Sequence, residues 1–323
     1  MKVQKTLTAI VIFVILFLIF IIQKKTREPT TVKNLPIICS PDENEITSIE
    51  IEGKDHIIFI KSEDDIWELE KPVSYPANET YIKNIINSIK DLKITDLISE
   101  NTSGYEDFGL TPKNGTKISV FTGKEKNLEF LIGKTNLSYT HTFIKLYSDP
   151  KIYQVSGNIG HIFNRKARDF RDKKIFDISL NAINKITIEK GKNTIILNKR
   201  VEEKKGEVVT DTIQVKPEER FIWIEESTGK VVKEDKMKTI LNGIKELSAQ
   251  DFIDNPTQKQ RIKEYAFTLT VEATSQKNVL KVGKKKEKNQ YPVEKKGITN
   301  TIFLVSNYQI DKINQSRSSL NLK

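Results

Sequence analysis

Basic side chains form the densest group in the sequence that could bind a charged ligand. Lys281, Lys284, Lys285 and Lys286 lie within six consecutive positions, and clustered lysines attract phosphates and anionic lipid headgroups. Glu287 interrupts the run, whereas nucleic-acid binders concentrate far more charge on one face. The sequence therefore predicts a candidate anionic-surface contact here, with a solvated turn as the alternative, and it disfavours nucleic acid as a partner.

Three arginines near the middle of the chain form a second candidate site. Arg165, Arg168 and Arg171 are interleaved with Asp169 and Asp172. Arginine forks make strong, directional contacts at protein interfaces, so the three are candidate partner-docking residues. The alternative is local ion pairing that fixes the angle between the two halves of the chain.

Motifs that carry known chemistry are incomplete in this sequence. Gly133-Lys134-Thr135 resembles the end of a phosphate-binding loop, but Leu128 stands where that loop needs a glycine, so a glycine turn between strands is predicted. Glu63-Asp64-Asp65 has no further ligands at calcium-loop spacing. Three scattered histidines and a single cysteine disfavour a metal site. We predict no catalytic, cofactor or metal residues.

An apolar segment near the start predicts a membrane anchor. Leu7–Ile22 contains one polar residue, and Lys5 and Lys24 can extend their side chains to the two membrane surfaces. Small residues for signal cleavage are missing after the segment. We predict an uncleaved anchor over residues 1–23 and a linker over 24–45; a cleaved signal and a lipidated Cys39 are the alternatives.

The remaining composition and charge describe a soluble body. Of 323 residues, 30% are charged and 37% hydrophobic, which excludes a polytopic transporter. The net charge is +10, and residues 1–27 carry half of it because they contain five basic side chains and no acid. Long domains after an amino-terminal anchor translocate largely regardless of charge. The body is therefore predicted to lie outside the cytoplasmic membrane, in the periplasm.

The body contains a tandem repeat. Tyr81–Ile98 aligns without gaps on Lys236–Ile253 with eight identities, and both segments have the spacing of one buried helical face. Flanking matches keep the same order: the strands that contain Trp67 and Trp223, and Leu131-Ile132-Gly133-Lys134 on Lys281-Val282-Gly283-Lys284. These matches predict a first repeat unit over 46–177 and a second over 178–323, with a charged surface insertion over 201–219.

Each unit is predicted to contain mainly antiparallel strands and one main amphipathic helix, because the short connections leave no room for crossover helices. The fold class is therefore α+β. In the first unit we expect the helix at 78–92 and a short helix near 158–170. We expect both tryptophans to be largely buried against the helix of their own unit.

Together these features resemble one bacterial family, the DUF4340 proteins, which are membrane-anchored and of unknown function. The resemblance rests on Trp67 with Pro72-Val73, the turn Tyr105–Leu110 before Pro112, Ile132-Gly133, and Arg171-Asp172-Lys173 before Phe176. In the second unit, Tyr265-Ala266-Phe267 replaces the Phe-Gly-Leu part of that turn. The resemblance implies an association with ABC-2 type exporters that have gliding-motility-like auxiliary subunits, and it implies no catalytic residues.

The expected function is that of a non-catalytic, membrane-anchored accessory or binding subunit of a bacterial envelope complex. A duplicated scaffold offers two similar faces or one composite groove for binding. An extracytoplasmic enzyme that hydrolyses cell-wall polymer is the first alternative. A binder of polyanions or lipid headgroups is the second.

Overall fold

The computed structural model describes residues 17, 35–202, 220–286, 289–320 and 322. Within these residues, none of the helices has the length and apolar character needed to cross a membrane. The predicted anchor lies outside the described residues except for Phe17, and so does the predicted insertion from residue 203 onward.

The chain divides into two compact units, each with its own antiparallel sheet. The first unit comprises residues up to Pro72 together with Thr80–Lys166, and the second comprises Val73–Glu79 together with Ala167–Lys323. Each sheet has nine strands, every strand pair described is antiparallel, and helices are few. The predicted α+β class with tandem, mainly antiparallel units is confirmed.

The strands of the first sheet lie in the order β4-β3-β2-β1-β6-β7-β8-β9-β5. They are β1 (Ser48–Glu52), β2 (His56–Lys61), β3 (Trp67–Lys71), β4 (Tyr75–Pro76), β5 (Ile94–Ser99), β6 (Thr116–Thr122), β7 (Glu125–Thr135), β8 (His141–Leu146) and β9 (Asp149–Ser156). The helices in this part of the chain are α1 (Glu79–Lys90), α2 (Tyr105–Phe108) and α3 (Gly160–Phe163).

The second sheet has the same topology, in the order β13-β12-β11-β10-β15-β16-β17-β18-β14. Its strands are β10 (Ile183–Lys190), β11 (Asn193–Val201), β12 (Phe221–Glu225), β13 (Lys230–Val231), β14 (Asp251–Asp254), β15 (Tyr265–Ala273), β16 (Lys277–Gly283), β17 (Gln290–Lys295) and β18 (Thr301–Ser306). The helices are α4 (Glu234–Lys245) and α5 (Asn307–Ile313).

The pairing register matches between the two central strands. In β1, Ile49 lies opposite Phe59 on one side and Val120 on the other. In β10, Ile186 lies opposite Leu197 and Val271 in the same way. All six side chains are buried. Because a shift of one residue would turn each buried side chain to the opposite face, the shared register fixes which positions of the two units are equivalent.

The two long helices cover the sheets with the apolar face that the sequence predicts. Ile82, Ile85 and Ile89 of α1 are buried, and Ile240 and Ile244 of α4 belong to the core of the second unit. Helix α1 ends at Lys90, and the residues from Ile94 form strand β5 at the sheet edge, paired with β9. The repeated sequence segment is therefore a helix followed by an edge strand.

The tryptophans occupy equivalent strand positions but differ in burial. Trp67 lies opposite Lys61, and Trp223 lies opposite Lys199. Trp223 is 7% exposed within the core of its unit, whereas Trp67 is half-buried. The expectation of burial is confirmed for Trp223 and is wrong for Trp67.

A buried carboxylate distinguishes the second unit from the first. Glu225 is fully buried at the position where the first unit has Leu69. Its oxygens accept hydrogen bonds from the Ser227 hydroxyl at 2.8 Å, the Thr228 backbone N–H at 3.0 Å and the Arg317 guanidinium at 3.2 Å. Burial would raise the pKa of Glu225, but these partners outweigh it and hold the pKa below the ordinary value.

We predict that Glu225→Gln destabilises the second unit at neutral pH by about 2 kcal/mol, because it removes charge-assisted hydrogen bonds inside the protein. The lowered pKa means that the carboxylate stabilises the fold above its unfolded pKa and that this contribution is lost as pH falls through the folded pKa. Urea unfolding followed by Trp223 fluorescence, in a Trp67→Phe background, measures the difference at each pH.

The difference between the parent and Glu225→Gln should begin to shrink below about pH 4.3, the ordinary pKa of a glutamate, and should be lost as pH falls through the lowered pKa of the folded state. The matched control is Glu226→Gln, since Glu226 is the exposed neighbour and its nearest ion pair, with Lys185, is 3.9 Å long. A destabilisation that is the same at every pH would contradict the proposed role of the charge.

Candidate anion-binding cavity of the second unit

The shared register makes Leu131 of β7 and Lys281 of β16 equivalent positions. The two units differ in the chain segment that lies beside these positions. Leu131 precedes Ile132, which pairs with Ile144, and Lys281 precedes Val282, which pairs with Val293. In the first unit, Leu131 belongs to a small apolar cluster with Leu110 and Ile152. In the second unit a charged side chain stands at that position.

In the first unit this place is filled by helix α2 and the turn after it. Tyr105 and Phe108 pack against the Leu131 cluster, and the Phe108 ring meets Phe143 edge to face with 4.7 Å between centroids. Gly133 lies inside β7, and a Cβ there would stand 2.3 Å from the Phe108 carbonyl oxygen. The expected turn at Gly133 is therefore wrong: the glycine lets the α2 turn approach the strand closely.

In the second unit the corresponding chain segment takes a different path. A Cβ at Gly283 would meet Ile262 at 2.8 Å, so Ile262 takes the place of the α2 turn. The expected match of Tyr265–Phe267 to the Phe-Gly-Leu turn is wrong, because Phe267 lies in β15 and pairs with Val282.

A cavity of about 500 Å³ opens beside this segment. Strands β16 and β17 form one wall, and the turn from Lys295 to Thr301 forms another. The charged residues that line it are Arg261, Lys281, Lys295, Lys296 and Glu294. The apolar residues that line it are Val279, Ile298 and Ile302. Lys295 lies opposite the core residue Leu280, so its side chain is directed to the other face of the sheet. Arg261, Lys281 and Lys296 remain as the basic side chains at the cavity beside one acid, and the volume is within the size range of small-molecule pockets.

The single acid of the cavity is engaged by a tyrosine. The Tyr265 hydroxyl donates to Glu294 at 2.7 Å, and the Lys281 ammonium lies 5.2 Å from the centre of the Tyr265 ring. Burial and the Glu294 carboxylate raise the pKa of Tyr265. Lys281 thus has aromatic rather than ionic support, and its charge is available to a ligand.

Lys295 lines the cavity from β17, but its ammonium lies on the core-facing side of the strand. Its ammonium donates to the Ile175 carbonyl at 2.7 Å, and burial lowers its pKa. Both terminal nitrogens of Arg261 donate to the Thr299 carbonyl at 3.4 Å, which places the guanidinium at the cavity wall.

The other lysines of the basic run do not line this cavity. Lys284 pairs with Glu264, and Lys285 and Lys286 follow the end of β16 as exposed side chains. Of the four lysines predicted to contact an anionic surface, Lys281 alone lines the cavity.

The structure separates the three arginines predicted to dock a partner. Arg165 lies in the first unit, where its guanidinium stands 4.9 Å from the Tyr81 ring centre and its Nε donates to the His161 carbonyl at 3.1 Å. Arg168 lies in the second unit and pairs with Asp251 at 2.7 Å; the Arg168 side chain is half exposed and Asp251 is half-buried.

Arg171 is enclosed within the second unit. Its side chain is 2% exposed, and its Nη1 donates to both carboxylate oxygens of Asp254, at 2.9 and 2.8 Å. The centres of the Tyr75 and Phe252 rings lie 3.9 and 3.7 Å from the guanidinium carbon of Arg171. Burial raises the pKa of Tyr75 to about 12. Arg171 is therefore not accessible to a partner. It stabilises the interior of the second unit.

Backbone hydrogen bonds hold Arg171 in place. The Asn78 N–H donates to the Phe170 carbonyl at 2.7 Å, and the Asp172 N–H donates to the Pro76 carbonyl at 2.9 Å. On the other side the Ala249 N–H donates to the Lys173 carbonyl at 2.8 Å. The segment with Arg171 is thus bound on two sides inside the second unit.

Sequence reasoning found Lys281 but missed the cations that join it from other segments. Arg261 and Lys296 lie outside the basic run in sequence, and the fold brings them to the cavity that Lys281 lines. One signal was present in the repeat alignment. Leu131-Ile132 of the first unit aligns with Lys281-Val282 of the second, so a lysine stands where the first unit has an apolar residue. In the described part of the chain, no group of three or more His, Cys, Asp or Glu side chains is placed to hold a metal ion.

Comparison with known proteins gives one family. A family model described as a domain of unknown function (DUF4340) matches residues 67–267, which is more than half of the chain. No curated protein and no solved structure matches the chain significantly.

We predict that Arg171→Ala destabilises the second unit by about 3 kcal/mol, because it empties a packed site between two rings and leaves Asp254 without its partner. About a third of the Asp254 side-chain surface is exposed to solvent. The expected loss of unfolding free energy is therefore at the lower end of the range for breaking a buried ion pair. Urea unfolding followed by Trp223 fluorescence measures this loss.

Arg168→Ala is the matched control. The Arg168 side chain is half exposed, whereas Arg171 is 2% exposed, so the expected loss is below about 1 kcal/mol. Equal losses for the two variants would contradict the structural role given to Arg171.

Proposed function

Because the chain belongs to the DUF4340 family, whose function is unknown, we propose a function from the geometry of the second unit: the protein is a non-catalytic binding subunit that takes an anionic ligand with an apolar part. The observation that carries this proposal is the cavity of about 500 Å³ that Arg261, Lys281 and Lys296 line.

The charge of the cavity supports an anion as the ligand. Glu294 already accepts a hydrogen bond from Tyr265, and Lys281 rests on the ring of the same tyrosine. Among the ionisable side chains on the cavity side of the sheet, bases exceed acids by two. Cations gathered in a partly enclosed space repel one another, and an anion relieves that repulsion. Charge-assisted hydrogen bonds from arginine and lysine to phosphate or carboxylate are the strongest available in such a site.

The apolar wall supports a ligand that is not an inorganic ion. Val279, Ile298 and Ile302 line the same cavity as the cations. A short hydrocarbon group placed there would contribute about 0.8 kcal/mol for each methylene that leaves water. An alkyl phosphate or alkyl carboxylate has both features, and so does the upper part of an anionic lipid.

The proposal also includes the membrane anchor and an envelope partner. Apolar Leu7–Ile22 with its lysine flanks supports a single-pass anchor in the cytoplasmic membrane and a body in the periplasm. The family resemblance supports an accessory role beside an ABC-type exporter. A ligand-binding unit held close to the membrane surface suits a subunit that receives or presents an amphiphilic cargo.

Hexyl phosphate is the probe that tests the binding proposal. It combines a dianionic headgroup with a short chain, and it is soluble enough to titrate into the full chain in a nonionic detergent. We predict measurable binding by calorimetry, and a tenfold or larger rise in Kd for Lys281→Ala and for Arg261→Ala, since each removes a charge-assisted contact of about 1.5 kcal/mol.

Lys277→Ala is the matched control, because Lys277 lies on the same strand as Lys281 and pairs instead with Glu272, which does not line the cavity. Inorganic phosphate should bind more weakly than hexyl phosphate, and hexylammonium should not bind. Equal binding of hexylammonium, or no effect of the two cavity variants, would contradict the proposal. Hydrolysis of hexyl phosphate by the parent chain would instead favour the alternative of an envelope enzyme.

A further inference from the structure

The units also differ on the outer side of their long helices. In the second unit, a Cβ at Gly243 of α4 would stand 2.8 Å from the Cβ of Lys312 and 3.0 Å from Ile313. Helix α5 therefore packs directly against α4 at this glycine. The Lys312 ammonium pairs with Glu246 at 2.8 Å, and the Gln309 amide donates to the Glu246 carbonyl at 2.9 Å. These contacts close the space between the two helices.

The first unit leaves the same place open. Ser88 stands where the second unit has Gly243 in the gap-free repeat alignment, and α3 is a single short turn where the second unit has the longer α5. A cleft of about 440 Å³ lies between α1 and the segment that contains α3. The polar residues that line it most prominently are Tyr81, Asn84, Asn87, Asp91, His161 and Arg165.

These side chains supply both donors and acceptors without a net charge. Asp91 and Arg165 are the acid and the base among the lining residues, and their charges balance. In the part of the chain that the structure describes, the side-chain amides of Asn84 and Asn87 have no hydrogen-bond partner in the protein. An amide can donate and accept at once, which is the pattern that a hydroxyl group requires.

The floor of the cleft offers apolar contact beside the polar rim. Leu92 and Ile159 are buried at its base and Ile162 is half-buried. The Tyr81 ring lines one end and supports the Arg165 guanidinium at 4.9 Å. Sugar rings present hydroxyl groups at their edges and C–H groups on their faces, so they match a pocket of amides, a carboxylate, an aromatic ring and aliphatic side chains.

We propose that the cleft of the first unit binds a neutral oligosaccharide. Asn84, Asn87 and Asp91 hydrogen-bond its hydroxyl groups, and the aliphatic floor contacts its ring faces. This site is independent of the cavity in the second unit, differs from it in ligand charge, and does not require the anion-binding function to be correct. The longer α5 of the second unit removes the equivalent site there.

A panel of neutral trisaccharides tests the proposal on the full chain. Maltotriose, cellotriose and N,N′,N″-triacetylchitotriose are titrated by calorimetry and by saturation-transfer NMR, in a detergent whose headgroup is not a sugar. We expect at least one of them to bind, and a tenfold or larger rise in Kd for Asn87→Ala and for Asp91→Ala. Both residues are exposed, so the variants should keep the unfolding curve of the parent chain.

Two control variants show whether the saccharide occupies this cleft. Lys83→Ala changes an exposed residue of α1 that does not line the cleft, and Lys281→Ala changes the cavity of the second unit; saccharide binding should be unchanged in both. The proposal is overturned if no trisaccharide of the panel binds, if Asn87→Ala and Asp91→Ala bind as the parent does, or if inorganic phosphate competes with the saccharide for the cleft.

Discussion

The register of the central strands is the constraint on which both sites depend. Strands β1 and β10 are hydrogen-bonded on both sides, and Ile49 and Ile186 point into cores whose partners match pair by pair. A slip of one residue would expose these isoleucines, so the register of each sheet is fixed by its core. Sequence changes in the loops do not alter it. Loops and short helices could therefore diverge between the units while equivalent strand positions stayed equivalent.

The two units differ at two places, and at each place one unit has a cavity or cleft that is filled in the other. Beside β7 and β16, the first unit is filled by the α2 turn, whereas the second unit keeps a cationic cavity with Lys281 in place of Leu131. Beside the long helix, the second unit is filled by α5 against Gly243, whereas the first keeps a polar cleft with Ser88 at that position. Each unit therefore has a site at the place where the other unit is filled. This difference supports the proposed binding role with two ligand classes.

Local pattern was enough to predict mainly antiparallel units, their long amphipathic helices and the repeat, because alternation and helical spacing are read within short segments. It was not enough for the sites. Arg171 reads as a surface arginine among charged neighbours, yet tertiary packing encloses it between Tyr75 and Phe252. Lys296 and Arg261 line one cavity only because strand order brings the turn after β17 and the segment before β15 together. Edge strand β5 was missed because its residues continue the helical pattern of α1.

Sequential titration of one sample is the most direct test of the claim that the units have complementary sites. The full chain is first saturated with hexyl phosphate and then titrated with the trisaccharide that binds it best. Two separate sites predict one equivalent of each ligand per chain and the same saccharide Kd with and without hexyl phosphate. Competition between the two ligands, or a stoichiometry of two for either one, would contradict the account.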